Sequence, residues 1–271
     1  MAEQRRRRLE EKVAIVTGAG SSGPGTGTGK ATSILFAREG AKVVLVDQDG
    51  SRAEETLNAI QEEGGVATVC EADVTSALDC RKLAELAVER YGRLDILFNN
   101  VGILGAGSAV DVAEDDWDRV LNVNLKGMML TSKYVIPKMI ESGGGAIVNI
   151  SSIAGLRAGS MGGNLPYSVS KGGVIALTTN MAVEHGRDNI RVNCIAPGHI
   201  YTPMVAATMD EEKRELRRRA APLGVEGTAW DIGWAALFLA SDEARWISGV
   251  VLPVDAGLLA TTPLAMLPHL Q

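Results

Sequence analysis

Residues 13–31 read VAIVTGAGSSGPGTGTGKA, a short apolar run followed by closely spaced glycines. The β-branched run over 13–16 predicts a buried strand, the glycines predict a tight loop, and a helix-like segment follows. Glycine lets backbone amides approach a phosphate closely, and a helix N-terminus adds partial positive charge. A glycine-rich loop between a strand and a helix therefore favours nucleotide binding.

Apolar runs of the same kind recur along the rest of the chain. They cover residues 43–46, 66–70, 96–98, 146–150, 192–195 and 250–254, and helix-like segments over 53–63, 78–90, 117–140 and 168–185 lie between them. Strands that alternate with helices predict a parallel sheet joined by right-handed crossovers. We expect one α/β domain over 12–257 with about seven parallel strands and helices on both faces. A flexible N-terminal arm over 1–11 and a C-terminal tail over 258–271 are expected to flank it.

Composition narrows the classes of partner. The 271 residues carry a net charge of -6, which disfavours nucleic acid, and no apolar stretch is long enough to predict a membrane span. The basic run over 5–8 is open to two interpretations, an anion-binding arm or a solvated terminus. Cys70, Cys80 and Cys194 show no metal-ligand spacing. Cys70 and Cys194 each end an apolar run and are expected to be buried thiols, in a reducing, cytoplasmic environment. We expect no metal.

Asp47 ends the second predicted strand, about 20 residues beyond the glycine-rich loop. A carboxylate at this position accepts hydrogen bonds from an adenosine ribose and repels a 2′-phosphate. Asp47 also begins the turn-like sequence over 47–50, so a turn-forming role is open beside the binding role. The spacing favours NAD over NADP.

Tyr167 and Lys171 lie four residues apart at the start of a predicted helix, where such positions share one face. A nearby cation lowers the pKa of a phenol, which makes it usable as a base nearer neutrality. Ser152 follows the strand over 146–150, and its hydroxyl is suited to bind a substrate oxygen. Asn124 lies inside a predicted helix, where asparagine is unfavourable unless it makes a local bond or has a role.

These segments together resemble the short-chain dehydrogenase/reductase family, over residues 12 to about 257. The resemblance implies a doubly wound, single-domain Rossmann fold and a homotetramer. It implies that Tyr167 is the general acid/base and that Lys171 lowers its pKa and holds the nicotinamide ribose. Ser152 would orient the substrate oxygen, and Asn124 would hold a water in the proton relay.

The resemblance also implies a set of cofactor contacts along the cavity. Besides Tyr167 and Lys171, these residues are Gly18, Gly27, Thr28, Gly29, Asp47, Asp73, Val74, Asn100, Gly102, Pro197, Gly198, Ile200 and Thr202. The chain departs from the family pattern by extra residues around 21–24, by Val101 in place of alanine, and by a longer loop between Ser152 and Tyr167.

The expected function is an NAD-dependent oxidoreductase that interconverts a secondary alcohol and a ketone. The alternative is an NADPH-dependent 3-oxoacyl-type ketoreductase, and a scaffold without turnover and a lyase or dehalogenase are rivals. The loop over 157–165, His199, Tyr201 and the segment over 204–220 are expected to set specificity for a small, partly hydrophobic substrate. His199 is either a second acid/base or a wall residue. The apolar tail either reaches a neighbouring subunit or caps its own pocket.

Overall fold

A parallel sheet of seven strands forms the centre of the computed structural model, which describes residues 7–158, 163–206 and 209–270. The strands are β1 (Val13–Thr17), β2 (Lys42–Asp47), β3 (Val66–Glu71), β4 (Ile96–Asn99), β5 (Gly145–Ile150), β6 (Ile190–Pro197), β7 (Ile200–Tyr201), β8 (Gly227–Thr228) and β9 (Val251–Val254). Their order in the main sheet is β3-β2-β1-β4-β5-β6-β9, and β7 pairs with β8 separately. The chain adds strands to one side of β1 up to β3 and then to the other side from β4 onward. The order of strands therefore reverses between β1 and β4, and α/β folds of this kind bind ligands at that point.

Helices cover both faces of this sheet. They are α1 (Thr28–Arg38), α2 (Gly50–Glu62), α3 (Ala77–Tyr91), α4 (Glu114–Leu121), α5 (Gly127–Glu141), α6 (Leu165–Glu184), α7 (Pro203–Ala206), α8 (Glu211–Ala220), α9 (Ala229–Ala240) and α10 (Pro263–Leu270). The apolar core on one face joins residues of α1 and α9, and the core on the other face joins residues of α3, α5 and α6.

The alternation of side chains along β1 explains the two cores. Ala14 and Val16 belong to one core, and Val13 and Ile15 belong to the other. All five residues of β1 are buried, as expected for a central parallel strand that is covered on both faces. The sequence prediction of a doubly wound α/β fold with seven parallel strands is confirmed, with strand ends that differ by one or two residues.

The N-terminal segment differs from the flexible arm expected over 1–11. Leu9 is only 1% exposed, belongs to the core that includes α1, and donates its backbone N–H to Glu39 at 2.9 Å. The Arg8 guanidinium binds the Glu243 carboxylate. From Arg7 onward the segment therefore packs on the domain, because its single large apolar side chain fills a core position. Residues 1–6 lie outside the described residues.

The C-terminal tail folds back on its own chain. It forms a 3-10 turn at Leu258–Ala260 and then α10, which packs against α8 and buries Met266. In the described part of the tail, this packing covers α8, and a contact with a neighbouring subunit stays a prediction. Within the described ranges no helix is both long and apolar enough to cross a membrane.

The packed position of Leu9 leads to a stability prediction. The Leu9→Ala variant should lose about 2–5 kcal/mol of unfolding free energy, since truncating a buried leucine removes apolar contact and leaves a cavity. Chemical denaturation measures this loss. Leu78→Ala is the matched control, because Leu78 is 75% exposed on α3. Equal effects of the two substitutions would place Leu9 on a free arm.

Candidate active site

A cavity of about 1200 Å³ opens at the carboxyl ends of the parallel strands. Its wall contains every residue that the sequence singled out for catalysis or cofactor binding, with the exception of Asn124. The glycine-rich loop after β1 and the Tyr167/Lys171 pair, separated by more than a hundred residues in the chain, thus line one space.

The glycine-rich loop brings the end of β1 against the start of α1. Gly18 has a φ of +63°, and a Cβ at Gly29 would lie 1.9 Å from the Gly18 carbonyl oxygen. Only glycine fits at position 29 without moving the backbone. The N-cap residue of α1, Gly27, provides no side-chain cap, so the first amides of the helix remain available to an anion.

Ser21 closes off the extra residues of this loop, a role that the sequence did not indicate. Its hydroxyl accepts a hydrogen bond from the Gly27 backbone N–H at 2.9 Å. Residues 22–26 therefore form a small loop whose two ends, Ser21 and Gly27, are joined by this bond. Gly23 and Gly25 lie beside Pro203, where an added Cβ would sit 3.7 Å from its ring atoms. The insertion therefore lies next to the start of α7 and leaves Gly18 and Gly29 in contact.

Asp47 lies in the cavity wall and has the turn-forming role that the sequence left open. Its carboxylate accepts from Gly20 N–H at 3.0 Å and from Asp49 N–H at 3.2 Å, which shapes the turn. It also lines the cavity, as does Arg52, whose guanidinium pairs with Asp49 at 3.1 Å. Among the described residues no cation binds this carboxylate, and its contact with the adenosine ribose stays a prediction.

Asn100 holds the glycine-rich loop to the neighbouring strand. Its side-chain amide donates to the carbonyl oxygens of Thr17 and Gly18 at 3.2 and 3.1 Å, and its backbone N–H donates to the Thr17 hydroxyl at 3.0 Å. Asn100 therefore has a structural role, since these bonds join β1 to β4 at the cavity floor, and its cofactor contact stays a prediction.

A buried polar chain under the site was not foreseen from the sequence. The Asn99 amide donates to Asn149 at 2.9 Å, and the Asn149 amide donates in turn to the Thr178 hydroxyl at 2.9 Å. Asn99 also accepts from Thr131 at 2.6 Å. These bonds link β4, β5, α5 and α6 beneath the cavity. Polar residues at otherwise apolar strand positions, 99 and 149, were the available signal.

Asn124 lies in a π-helical turn, Asn122–Lys126, that divides the long helix expected over 117–140. Its carbonyl oxygen accepts from Ile103 N–H at 2.7 Å, and its amide donates to Ile103 O at 2.9 Å and to the Ser170 hydroxyl at 3.0 Å. Both amide hydrogens are therefore engaged with the protein. The side chain is fully buried and positions the loop after β4. The role of Asn124 in holding a water stays a prediction. Its two side-chain amide hydrogens are already donated to protein atoms.

Tyr167 and Lys171 occupy the first turns of α6, as the spacing predicts. The Lys171 ammonium lies 5.7 Å from the Tyr167 ring centroid and donates to the Ile150 carbonyl oxygen at 2.9 Å. Gly102 faces this ammonium, and a Cβ at that position would lie 3.2 Å from it. The end of β5 and the loop after β4 therefore hold the lysine in place.

The pKa of Tyr167 shifts in the direction opposite to the sequence prediction. Burial raises it, and a hydrogen bond with Ser152 opposes the rise only in part. Burial also lowers the pKa of Lys171 to about 8. Desolvation favours the neutral form of both groups, so the protein residues by themselves keep Tyr167 as a phenol.

The substrate end of the cavity is mostly apolar, in line with the expected partly hydrophobic substrate. Met204, Val205, Met209 and Leu216 lie in its wall. The helix α8 exposes paired charges, as predicted for a solvated lid face. Residues 159–162 and 207–208 of the predicted specificity segments lie outside the described residues. Cys70 and Cys194 are buried free thiols, as expected, and Cys80 is one as well. The described ranges contain no cluster of metal-binding side chains.

A glycine-rich loop before a helix, a carboxylate at the end of β2 and a tyrosine–lysine pair in one cavity are typical of a dinucleotide-dependent oxidoreductase. The family profile described as Enoyl-(Acyl carrier protein) reductase matches residues 23–259. The chain belongs to the short-chain dehydrogenase/reductase family, and it is an NAD(P)-dependent oxidoreductase that acts on CH–OH groups.

Three relatives illustrate the family. The 3-oxoacyl-[acyl-carrier-protein] reductase FabG of Thermotoga maritima is 40% identical over 93% of this chain and 99% of its own length. The mitochondrial borneol dehydrogenase of Lavandula x intermedia is 41% identical over 95% of this chain and 94% of its own. The solved structure of 7α-hydroxysteroid dehydrogenase with NADH and 7-oxo glycochenodeoxycholic acid has a TM-score of 0.85, 36% identity, and covers 95% of this chain and 98% of that chain.

The lowered pKa of Lys171 predicts a pH dependence of stability. Between about pH 8 and pH 10.5 the unfolded chain holds a proton that folded Lys171 has released, so stability should rise with pH across this interval. The Lys171→Met variant should lack this rise, which is at most about 1.4 kcal/mol per pH unit. Urea denaturation over a pH series measures the difference. Lys133→Met, at an exposed position, controls for the loss of one positive charge; identical slopes for both variants would contradict the assignment.

Proposed function

We propose that the chain is an NAD-dependent oxidoreductase that interconverts a secondary alcohol and a ketone, with Tyr167 as general acid/base. The main support for this proposal is that Tyr167, Ser152 and Lys171 line the same cavity as the glycine-rich loop and Asp47. A scaffold without turnover has no need of a buried lysine beside a phenol, because burying an ammonium costs stability.

The residues present fit a dinucleotide along its whole length. The amides at the start of α1 and the close contact of Gly18 with Gly29 suit a diphosphate. Asp47 suits the adenosine ribose, with Asp73 and Val74 beside the adenine, and Lys171 suits the nicotinamide ribose. Pro197, Gly198, Ile200 and Thr202 lie along the wall where the nicotinamide belongs. When bound, that cofactor supplies the carbon that accepts or releases the hydride.

Tyr167 would transfer the proton that accompanies the hydride. In reduction its hydroxyl donates a proton to the developing alkoxide of the substrate, and in oxidation its phenolate takes the hydroxyl proton. Ser152 contacts Tyr167 and is placed to donate a hydrogen bond to the same substrate oxygen. Because burial raises the pKa of Tyr167, the phenol form favours reduction near neutrality, and oxidation should quicken as the pH rises.

The choice between NAD and NADP depends on two side chains at the adenosine end. Asp47 carries negative charge toward the position of a 2′-phosphate, and Arg52 is paired with Asp49. The similarity to the FabG reductase supports an NADPH-dependent 3-oxoacyl-type ketoreductase as the second candidate function. The similar 7α-hydroxysteroid dehydrogenase structure contains NADH, which supports the first.

We also propose a cytoplasmic homotetramer, as the family resemblance implies. Large apolar side chains on the described surface support a contact between subunits: Trp246 is 90% exposed and Val183 is 83% exposed. Exposed apolar surface of this kind is typical of interfaces.

Replacing Tyr167 tests the proposed chemistry. Tyr167→Phe should lower kcat at least about 100-fold, because it removes the transferred proton, while coenzyme binding persists. Steady-state rates and the fluorescence of bound reduced coenzyme measure the two properties. Tyr134→Phe, on α5 away from the cavity wall, is the control. Near-normal turnover by Tyr167→Phe with coenzyme bound would remove Tyr167 from the mechanism.

Replacing Asp47 tests the coenzyme preference. The wild type should use NAD at least about tenfold more efficiently than NADP, since like charges at the ribose site repel, and Asp47→Asn should narrow this ratio. Initial rates with both coenzymes give kcat/KM for each. A wild type that prefers NADP would favour the ketoreductase alternative.

A further inference from the structure

The charged side chains of the cavity wall are unevenly distributed. Its acidic residues are Asp47, which ends β2, and Asp73, which follows β3, both at the proposed adenosine end. The cations Arg119, Lys213 and Arg217 line the wall with the apolar residues of the substrate end. Among the described wall residues, this end of the cavity thus has cations between its apolar side chains and no carboxylate.

Two of these three cations are neutralised by a neighbour on their own helix or at its N-cap. Arg119 binds Asp116 at 2.9 Å on α4, and Lys213 binds the N-cap residue Asp210 at 2.8 Å. Both pairs are exposed to solvent, and both use i,i+3 spacing. Such pairs are ordinary features of a helix surface and need no ligand.

Arg217 differs from both. Among the described residues no carboxylate lies within 4.0 Å of its guanidinium, which makes only long contacts, to the Met209 sulfur at 3.6 Å and the Ile200 carbonyl oxygen at 3.4 Å. The nearest acidic influence is Glu226, but Arg214 binds both of its oxygens at 2.7 and 2.6 Å. Arg217 is thus a half-buried cation in the cavity wall with most of its five N–H groups unused.

The surroundings of Arg217 raise the cost of leaving it unpaired. Burial lowers its pKa and also lowers that of His199, whose ring nitrogen lies 3.5 Å from the Arg217 carbonyl oxygen. His199, which also lines the wall, therefore favours its neutral form. Met204 and Leu216 add apolar wall on the same side. A charge in such a place is normally paired, so an anionic partner from outside the chain is expected.

We propose that the substrate carries a carboxylate that binds Arg217, while its apolar body lies against Met204, Val205 and Leu216. The planar guanidinium fork matches the two oxygens of a carboxylate, which fixes the orientation of the substrate as well as its affinity. This inference rests on the proposed function, since it assigns the substrate class, a keto acid or hydroxy acid, to the same site. Arg217 is then a specificity-determining residue and takes no part in proton transfer.

The test compares keto acids with their methyl esters. The panel contains aryl, alicyclic and acyl ketones in matched pairs, such as 4-oxocyclohexanecarboxylate and its methyl ester, and the loss of reduced coenzyme absorbance gives kcat/KM. The wild type should prefer the acid by at least about tenfold, the lower range for a hydrogen bond to a charged group. Arg217→Met should bring the acid-to-ester ratio close to one, and Arg217→Lys should retain part of the preference.

Arg218 supplies the matched control. It neighbours Arg217 on α8 but binds Glu215 at 2.7 Å and is exposed, so Arg218→Met should keep the wild-type ratio. A wild type that uses acids and esters equally, or an Arg217→Met variant that keeps the preference, overturns the inference and leaves the proposed function standing. A rise in coenzyme KM with an unchanged ratio also overturns it, because Arg217 would then serve the coenzyme diphosphate. If the wild type reduces no ketone of either kind, the proposed function fails, and the inference fails with it.

Discussion

The buried ammonium of Lys171 is the constraint on which the arrangement of the site depends. No carboxylate pairs with it in the described part of the chain, and its bond to the Ile150 carbonyl oxygen replaces the water that it lost. That bond requires α6 to lie tightly on the end of β5. A Cβ at Gly155 would meet the Lys171 backbone at 2.6 Å, and the Ser151 hydroxyl donates to the Lys171 carbonyl oxygen at 2.7 Å. The position of Tyr167, one turn earlier, follows from this packing.

The floor of the cavity is rigid for a related reason. Parallel strands end at the same edge of the sheet, so their last polar groups meet there and need partners. Asn100 joins β1 to β4, and the chain from Asn99 through Asn149 to Thr178 joins β4 to β5 and α6. A network in which each member is bonded holds the strand ends at fixed spacing. The network thereby ties the end of β1, where the glycine-rich loop begins, to α6, which carries Tyr167 and Lys171.

The sequence predicted those features that follow from local pattern. Buried parallel strands are continuous apolar runs, so the fold could be predicted from the sequence. The glycine-rich loop could be predicted as well, because the glycine at position 29 is required by a backbone contact within the same loop. Features set by distant contacts were not. The π-helical turn depends on bonds from Asn124 to Ile103, and the packing of Leu9 depends on a core position that a charged segment does not reveal. The pKa of Tyr167 depends on how deeply it is buried.

Arg217 shows why charge pairing in particular needs the folded structure. In the sequence the positions at i±3 and i±4 from Arg217 are Lys213, Arg214, Ala220 and Ala221, so no local carboxylate is offered, but a partner from elsewhere in the chain is left open. Only the fold shows that Glu226 is occupied by Arg214 and that Lys213 is paired with Asp210. The cavity then has two cations, Lys171 and Arg217, for which the described chain supplies no carboxylate. Each loses hydration on folding, so ligands that bring negative charge or oxygen acceptors bind more favourably than their contact area implies and stabilise the folded chain in the same measure.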